Sequence, residues 1–273
     1  MTIELAPSIR SAGAIDAQPV PSPVARAQSE RRSTVSLVIP AKNEARNLPH
    51  VLEHLPDCLD EVILVDGQSR DVSRIAAQMC RPDVRILSQP HPGKGWALRV
   101  GFAAARGDVI VAMDADGSMA PEEIPGYVFL LDHGYDFVKG SRFVGGGGSL
   151  DITPLRKLGN RGLLATANLL FKTQWTDLCY GFFAFRRCFL DELDLHASGF
   201  EVETEITIRA AIAGLRVGEI PSLELPRRSG RTSLRTFHDG QRVLRTLLEQ
   251  HAQSHQPGRT PAVPPKHDAS NGA

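Results

Sequence analysis

Asp114 and Asp116 stand one residue apart in Met113-Asp114-Ala115-Asp116-Gly117, at the end of the apolar run Asp108-Val109-Ile110-Val111-Ala112-Met113. Short, branched and apolar, that run reads as an interior strand of a parallel sheet covered on both faces. Ligands in open α/β sheets bind beyond the carboxyl ends of such strands, which is where both carboxylates arrive. Hard oxygen ligands at this spacing suit Mg2+ or Mn2+, with open positions left for phosphate oxygens. Such a cation would neutralise charge on a departing nucleoside diphosphate. The same residues also read as a polar turn capping the next helix, with Ser118 and Pro121 as start signals.

The elements that must position this pair alternate along the chain. Thr34 to Pro40, Glu61 to Asp66, Val84 to Leu87 and Asp108 to Met113 are predicted strands. Helical spacing follows each of them, over Ala45–Leu55, Asp71–Cys80, Lys94–Ala105 and Pro121–Asp132. This β-α-β order predicts an α/β fold with a mostly parallel central sheet flanked by helices. Pro40, Asn43 and Glu44 then fall after the first strand, and Asp66-Gly67-Gln68-Ser69-Arg70-Asp71 after the second. Three polar clusters thus line one sheet edge. Pro40-Ala41-Lys42-Asn43-Glu44 stands where a dinucleotide fold would carry Gly-x-Gly-x-x-Gly, which argues against NAD.

Of the 273 residues, 1–32 and 251–273 are rich in Pro, Ser, Ala and Gln without periodicity and read as disordered tails. Residues 33–250 leave about 220 residues, ample for one α/β domain. The formal net charge of zero gives no global preference for nucleic acid. No window reaches the roughly 18 to 20 apolar residues of a membrane span, and no signal-peptide pattern opens the chain. Cys58, Cys80, Cys179 and Cys188 lack metal or disulfide spacing. Reduced thiols and a soluble, cytoplasmic protein are expected.

Leu37-Val38-Ile39-Pro40-Ala41-Lys42-Asn43-Glu44, Val65 to Asp71, Gly93-Lys94-Gly95 and Asp114-Ala115-Asp116 form an ordered series. Lys139-Gly140-Ser141-Arg142-Phe143, Leu158-Gly159-Asn160-Arg161 and Thr176 to Phe182 continue it. The series resembles family 2 glycosyltransferases of the GT-A fold, closest to the dolichol-phosphate mannosyltransferase and polyprenyl-phosphate glycosyltransferase branch. It extends from about Thr34 to Gln250, as a single GT-A (Rossmann-like) domain.

The resemblance implies a metal-dependent inverting transfer of a hexose from a donor of the GDP-mannose or UDP-glucose type. The implied acceptor is a polyprenyl phosphate; a soluble small-molecule acceptor and a non-catalytic nucleotide-sugar-binding module are the alternatives. Pro40, Glu44, Asp66, Lys94 and Asp114 are similar to donor-binding positions, and Asp114 and Asp116 to the Mg2+ or Mn2+ ligands. Ser118 stands where relatives tend to have a third, Gln contact. Arg142, Arg156 and Arg161 look like phosphate-binding cations, Arg142 serving donor or acceptor. Glu203 is the leading catalytic carboxylate, with Glu201 and Glu205 behind it, and Asp177 is a second candidate base. From Pro226 to Thr246 the arginines 227, 228, 231, 235, 242 and 245 face one acid, Asp239. Arg228 to Ser233 resembles a block that closes over the pyrophosphate. This patch and the helix expected over Leu155–Phe171 are candidates for peripheral membrane contact, core packing being the other reading of that helix.

Overall fold

The computed structural model describes residues 32–230 and 236–254. Val35–Ala41 (β1), Glu61–Asp66 (β2), Arg85–Ser88 (β3) and Val109–Ala112 (β4) are the four expected strands, each within two residues of its predicted limits. The helices between them are Leu48–Glu53 (α1), Ser73–Cys80 (α2) and Lys94–Ala104 (α3), with Ile124–Asp132 (α4) after β4. The first is shorter than its periodicity predicts. Residues Glu44 to Asn47 form a hydrogen-bonded turn instead, because their polar groups bind the neighbouring loop.

Beyond α4 lie Phe137–Ser141 (β5), Gly148–Ser149 (β6), Pro154–Phe171 (α5), Phe183–Arg186 (β7), Leu190–Leu193 (α6) and Val202–Ile212 (α7). Val217–Pro221 (β8), Leu223–Glu224 (β9) and Thr236–Ser254 (α8) close the described chain. Helix α8 runs four residues past the expected domain limit at 250. Arg231, Thr232, Ser233 and Arg235, and the remainder of both expected tails, lie outside the described residues.

Seven strands form one sheet in the order β3-β2-β1-β4-β7-β5-β8. Pairings β1 with β2, β2 with β3, β1 with β4 and β5 with β8 are parallel, while β7 runs antiparallel to both β4 and β5. The sheet is therefore mostly parallel, with one reversed strand, β7, in its interior. Both faces are covered. Leu37, Ile39, Leu64 and Val111 point to the side packed by α1, α2 and α4, and Val38, Ile63, Val65 and Ile110 to the side packed by α3 and α7. Alternating side chains thus feed two cores, as the apolar runs Leu37 to Ile39 of β1 and Val109 to Ala112 of β4 require. A third core joins α5, α7 and α8 through Ala167, Ile208, Val243 and Leu247.

Two features of this topology create a site. Chain order reverses between β1, whose sequence neighbours lie to one side, and β4 on the other, and a crevice opens at such a switch point. The reversed β7 adds to it, since its amino end lies at the same edge as the carboxyl end of β4. Ala112 pairs with Phe183, so two residues further along this register Asp114 stands opposite Gly181.

Candidate active site

The loops after β1 and β2 are stitched together. Asn43, at φ 58°, donates its N–H to Ser69 Oγ at 2.9 Å and accepts from the Arg70 N–H at 2.8 Å through Oδ1. Glu44 N–H donates to Ser73 Oγ, and Ala45 N–H to Asp71. Asp71 is held below the usual carboxylate range by hydrogen bonds from Ser73 and Ala45, which overcome burial. This lattice fixes the carboxylates of Glu44 and Asp66, both buried, at the edge beside Pro40. Asp66 accepts the Ser69 N–H at 3.2 Å and lies 3.7 Å from Arg74.

Lys94 is the hub. Its ammonium lies 2.5 Å from Asp114 Oδ1 and 2.6 Å from Glu203 Oε1, with only 9% of the side chain exposed. Gly93 makes the approach possible: at φ 127°, a Cβ there would fall 2.0 Å from the Ser198 carbonyl oxygen. The first turn of α3 thereby seats on the loop before α7, and Gly95 N–H donates to Ser198 O. Burial depresses the Lys94 ammonium, but Asp114 and Glu203 outweigh it and hold the group well above its ordinary value. Burial pushes Asp114 up to about 6, with Glu203 and Asp116 adding to the rise and Lys94 opposing it. Gly181 supplies the space. A Cβ there would meet Glu203 Oε1 and Lys94 Nζ at 2.7 Å and Asp114 Oδ2 at 3.3 Å.

Asp116 belongs to a second ion-pair chain. Arg227 Nη1 lies 3.3 Å from Asp116 Oδ2, Nη2 lies 2.5 Å from Glu44 Oε1, and Nε donates to Ser229 O. Segment 225–230 is stitched across the crevice by Leu225 N–H to Ser118 O, Arg228 N–H to Asp116 O and Asn47 Nδ2 to Ser229 O. Arg228, the expected donor cation, binds this loop through its backbone and runs its exposed side chain along Gly117. The interior position belongs to its neighbour. Arg227 is the principal site residue that the sequence left unassigned.

The acceptor-side expectations need correction. Asp177 is fully buried, and both its oxygens are occupied: Oδ2 accepts from Arg142 N and Nε, and Oδ1 from Arg142 Nη2 and Asn160 Nδ2. With no lone pair turned to the crevice, it anchors the turn before β7 and is not placed to take a proton. Arg142 uses its remaining donors on Glu224 at 3.1 Å and on Cys179 O. A phosphate reaching it would have to replace Glu224. Arg156, 4.0 Å from Asp151, and the exposed Arg161 lie on α5 with looser ties. Glu201 and Glu205 also leave the crevice. They accept N–H bonds from Ser198 and Gly199, and from His196 and Ala197, and so brace the loop under Lys94.

Lys139 is fully buried in β5 and donates to Tyr180 O, pinning the backbone next to Gly181. Burial lowers its pKa, with Asp177 and Glu203 opposing. Neighbouring Cys179 is pushed up to about 12 by burial and by Glu203 and Asp177, so it is no nucleophile.

Among the described residues no group of three or more His, Cys, Asp or Glu side chains is disposed to hold a metal. The oxygens of Asp114 and Asp116 nevertheless form a hard donor pair. Asp114 is a half-buried carboxylate beside two others with a single ammonium against it, an arrangement that suits a divalent cation completed by phosphate oxygens. Ser118 gives its N–H to Asp116 Oδ1.

The sequence matches the family described as Glycosyl transferase family 2 over residues 36–194. It is 31% identical to a dolichol-phosphate mannosyltransferase of Pyrococcus furiosus over 68% of this chain and 55% of that one, so it spans about half of that relative's length. An undecaprenyl-phosphate mannosyltransferase of Micrococcus luteus is 32% identical over 73% of this chain and 87% of its own. Among solved structures, Mycobacterium tuberculosis glucosyl-3-phosphoglycerate synthase, in complex with Mn2+, uridine diphosphate and glucosyl-3-phosphoglycerate, superposes with a TM-score of 0.66 at 25% identity, covering 86% of each chain.

Proposed function

The chain belongs to glycosyl transferase family 2, and from that premise we propose that it transfers a hexose from a nucleoside diphosphate donor to a polyprenyl phosphate. The observation that carries this reading is the pair of ion-pair chains meeting at the switch point, Lys94–Asp114–Glu203 and Glu44–Arg227–Asp116. Glu44 and Asp66 flank the space for the nucleoside, and Asp66 has acceptor capacity for a base N–H. Asp114 and Asp116 would hold Mg2+ or Mn2+, which when bound supplies charge neutralisation at the departing diphosphate. Arg227 shares that charge from the strap side, and its planar fork suits phosphate oxygens. Lys94 pairs with both Asp114 and Glu203 and orients them, a preorganised electrostatic environment of the kind that lowers barriers most.

A polyprenyl phosphate enters as an anion, so its attacking oxygen needs no base. Arg156 and Arg161, both on α5, would receive it. Glu203 becomes a base only for a hydroxyl acceptor. Two relatives named for polyprenyl-type phosphates favour the lipid. A soluble acceptor is the second reading, supported by the superposition on a glucosyl-3-phosphoglycerate synthase. Under the lipid reading the protein acts peripherally at the cytoplasmic membrane face, where its cysteines stay reduced.

The test is nucleoside diphosphate release from UDP-, GDP- and TDP-hexoses with Mn2+ or Mg2+, with and without short polyprenyl phosphate. Stimulation by the lipid supports the proposal, and lipid-independent hydrolysis supports a soluble acceptor. Binding without release points to a non-catalytic module.

A further inference from the structure

Helix α5 is amphipathic in an unusual sense. Its inner face carries Ala167, Leu163, Leu164 and Phe171 onto α7 and α8, and the buried Asn160 onto Asp177. Its outer face is also apolar. Leu155, Leu158, Gly162, Ala165 and Leu169 recur at three- and four-residue intervals and are all exposed, Leu158 at 68% and Leu169 at 80%. Leu150, just before the helix, is 69% exposed. Such a stripe on a soluble surface marks a contact.

The charges beside the stripe select its occupant. Lys157, Arg161 and Lys172 are exposed on the same segment, Arg156 being tied to Asp151 at 4.0 Å, and no Asp or Glu occurs from residue 152 to 176. A second copy meeting this face across a two-fold axis would set these cations against their own kind. An anionic lipid surface offers the opposite charge at every one of them. Helix α8 makes the contrast. It exposes Phe237, Leu244 and Leu248, but its Arg245 is paired with Glu249 and it carries Asp239, so its charges are mixed.

We propose that the outer face of α5 seats the protein on an anionic bilayer surface, the leucines entering the headgroup region and the flanking cations meeting lipid phosphates. Eighteen residues make a helix about 27 Å long, and it lies along the surface, since no described helix is long and apolar enough to cross. The contact deepens the lipid-acceptor reading but does not need it. Through Asn160 and Asp177 the same helix is tied to the turn that precedes β7.

The experiment is co-sedimentation of the full chain with phosphatidylcholine vesicles, with and without phosphatidylglycerol, containing no polyprenyl phosphate. Binding is expected only with phosphatidylglycerol, and high salt is expected to weaken it. Leu158→Glu with Leu169→Glu should lower the partition coefficient about tenfold or more. Lys157→Glu with Arg161→Glu should remove the dependence on anionic lipid. Both variants change exposed positions, and unaltered thermal unfolding verifies their fold. Equal binding to both vesicle types, or wild-type binding by the leucine variant, overturns the proposal. So does a concentration-dependent dimer that the leucine variant abolishes, which would assign the face to self-association. Because the vesicles lack the acceptor, failure here leaves the catalytic reading standing, and lipid-independent transfer leaves this surface standing.

Discussion

Replacing Lys94 by Gln removes the one ammonium that the half-buried Asp114 and the buried Glu203 share. Asp114 and Glu203 then face each other, at 27% and 10% side-chain exposure, with their nearest counter-charge gone. Breaking a buried pair costs about 3–5 kcal/mol. The water-facing part of Asp114 puts this case at the low end, about 3 kcal/mol, and for a domain of this size that lowers Tm by roughly 6–12 °C. Urea unfolding in EDTA at neutral pH measures the deficit as a shift in midpoint at constant slope. Two companion measurements identify the cause. Adding Glu203→Gln should restore about half of the loss, since the two substitutions share a contact. The deficit should also narrow as pH falls toward about 5. Asp114 already sits above its unfolded value, so the folded state binds more protons there, and acid relieves the repulsion. A deficit below about 0.5 kcal/mol, simple additivity with Glu203→Gln, or no change with pH would refute the reasoning.

Arg227→Gln frees Asp116 and Glu44 from their shared guanidinium; Mn2+ should bind the donor-free protein more tightly while donor affinity falls, both by calorimetry, and unchanged Mn2+ affinity would remove Arg227 as their counter-ion. Gly181→Ala drives a methyl into Lys94 and Glu203 at 2.7 Å; overpacking costs about 1–3 kcal/mol, and transfer should fall far more than stability, whereas wild-type kcat would show the turn is not tightly packed. Mn2+ affinity should decline as pH drops below about 6, where Asp114 gains its proton and a metal must displace it; a flat titration by calorimetry from pH 7 to pH 5 would argue against Asp114 as a ligand.

What the sequence made legible was local. Branched runs such as Val109 to Ala112 can only be covered strands, and a carboxylate at the end of each marks the edge of the sheet. Asp114, Asp116, Glu44 and Asp66 were readable for that reason. The pairings were not, because each joins distant parts of the chain: Lys94 to Glu203 spans 109 residues and Arg227 to Glu44 spans 183. Asp177 looked like a base because it precedes a glycine turn, and only the reversed direction of β7 shows that it faces Arg142 instead. Arg227 and Arg228 are adjacent in the strap, yet the first reaches Asp116 and Glu44 and the second runs along Gly117. One of the two had to face inward, and composition carries no information on which. The leucines of α5 satisfied helical spacing on two faces, so periodicity alone could not separate core from surface.

Under the proposed function, Asp114 and Asp116 serve transfer of a hexose from a nucleoside diphosphate donor to a lipid phosphate. Its most direct test is the rate of nucleoside diphosphate release with Mn2+ and short polyprenyl phosphate, for wild type and Asp116→Asn in parallel. Lipid-stimulated release by wild type, with loss of at least about 100-fold in a variant that still folds, is the predicted result. Release that survives in Asp116→Asn would contradict it.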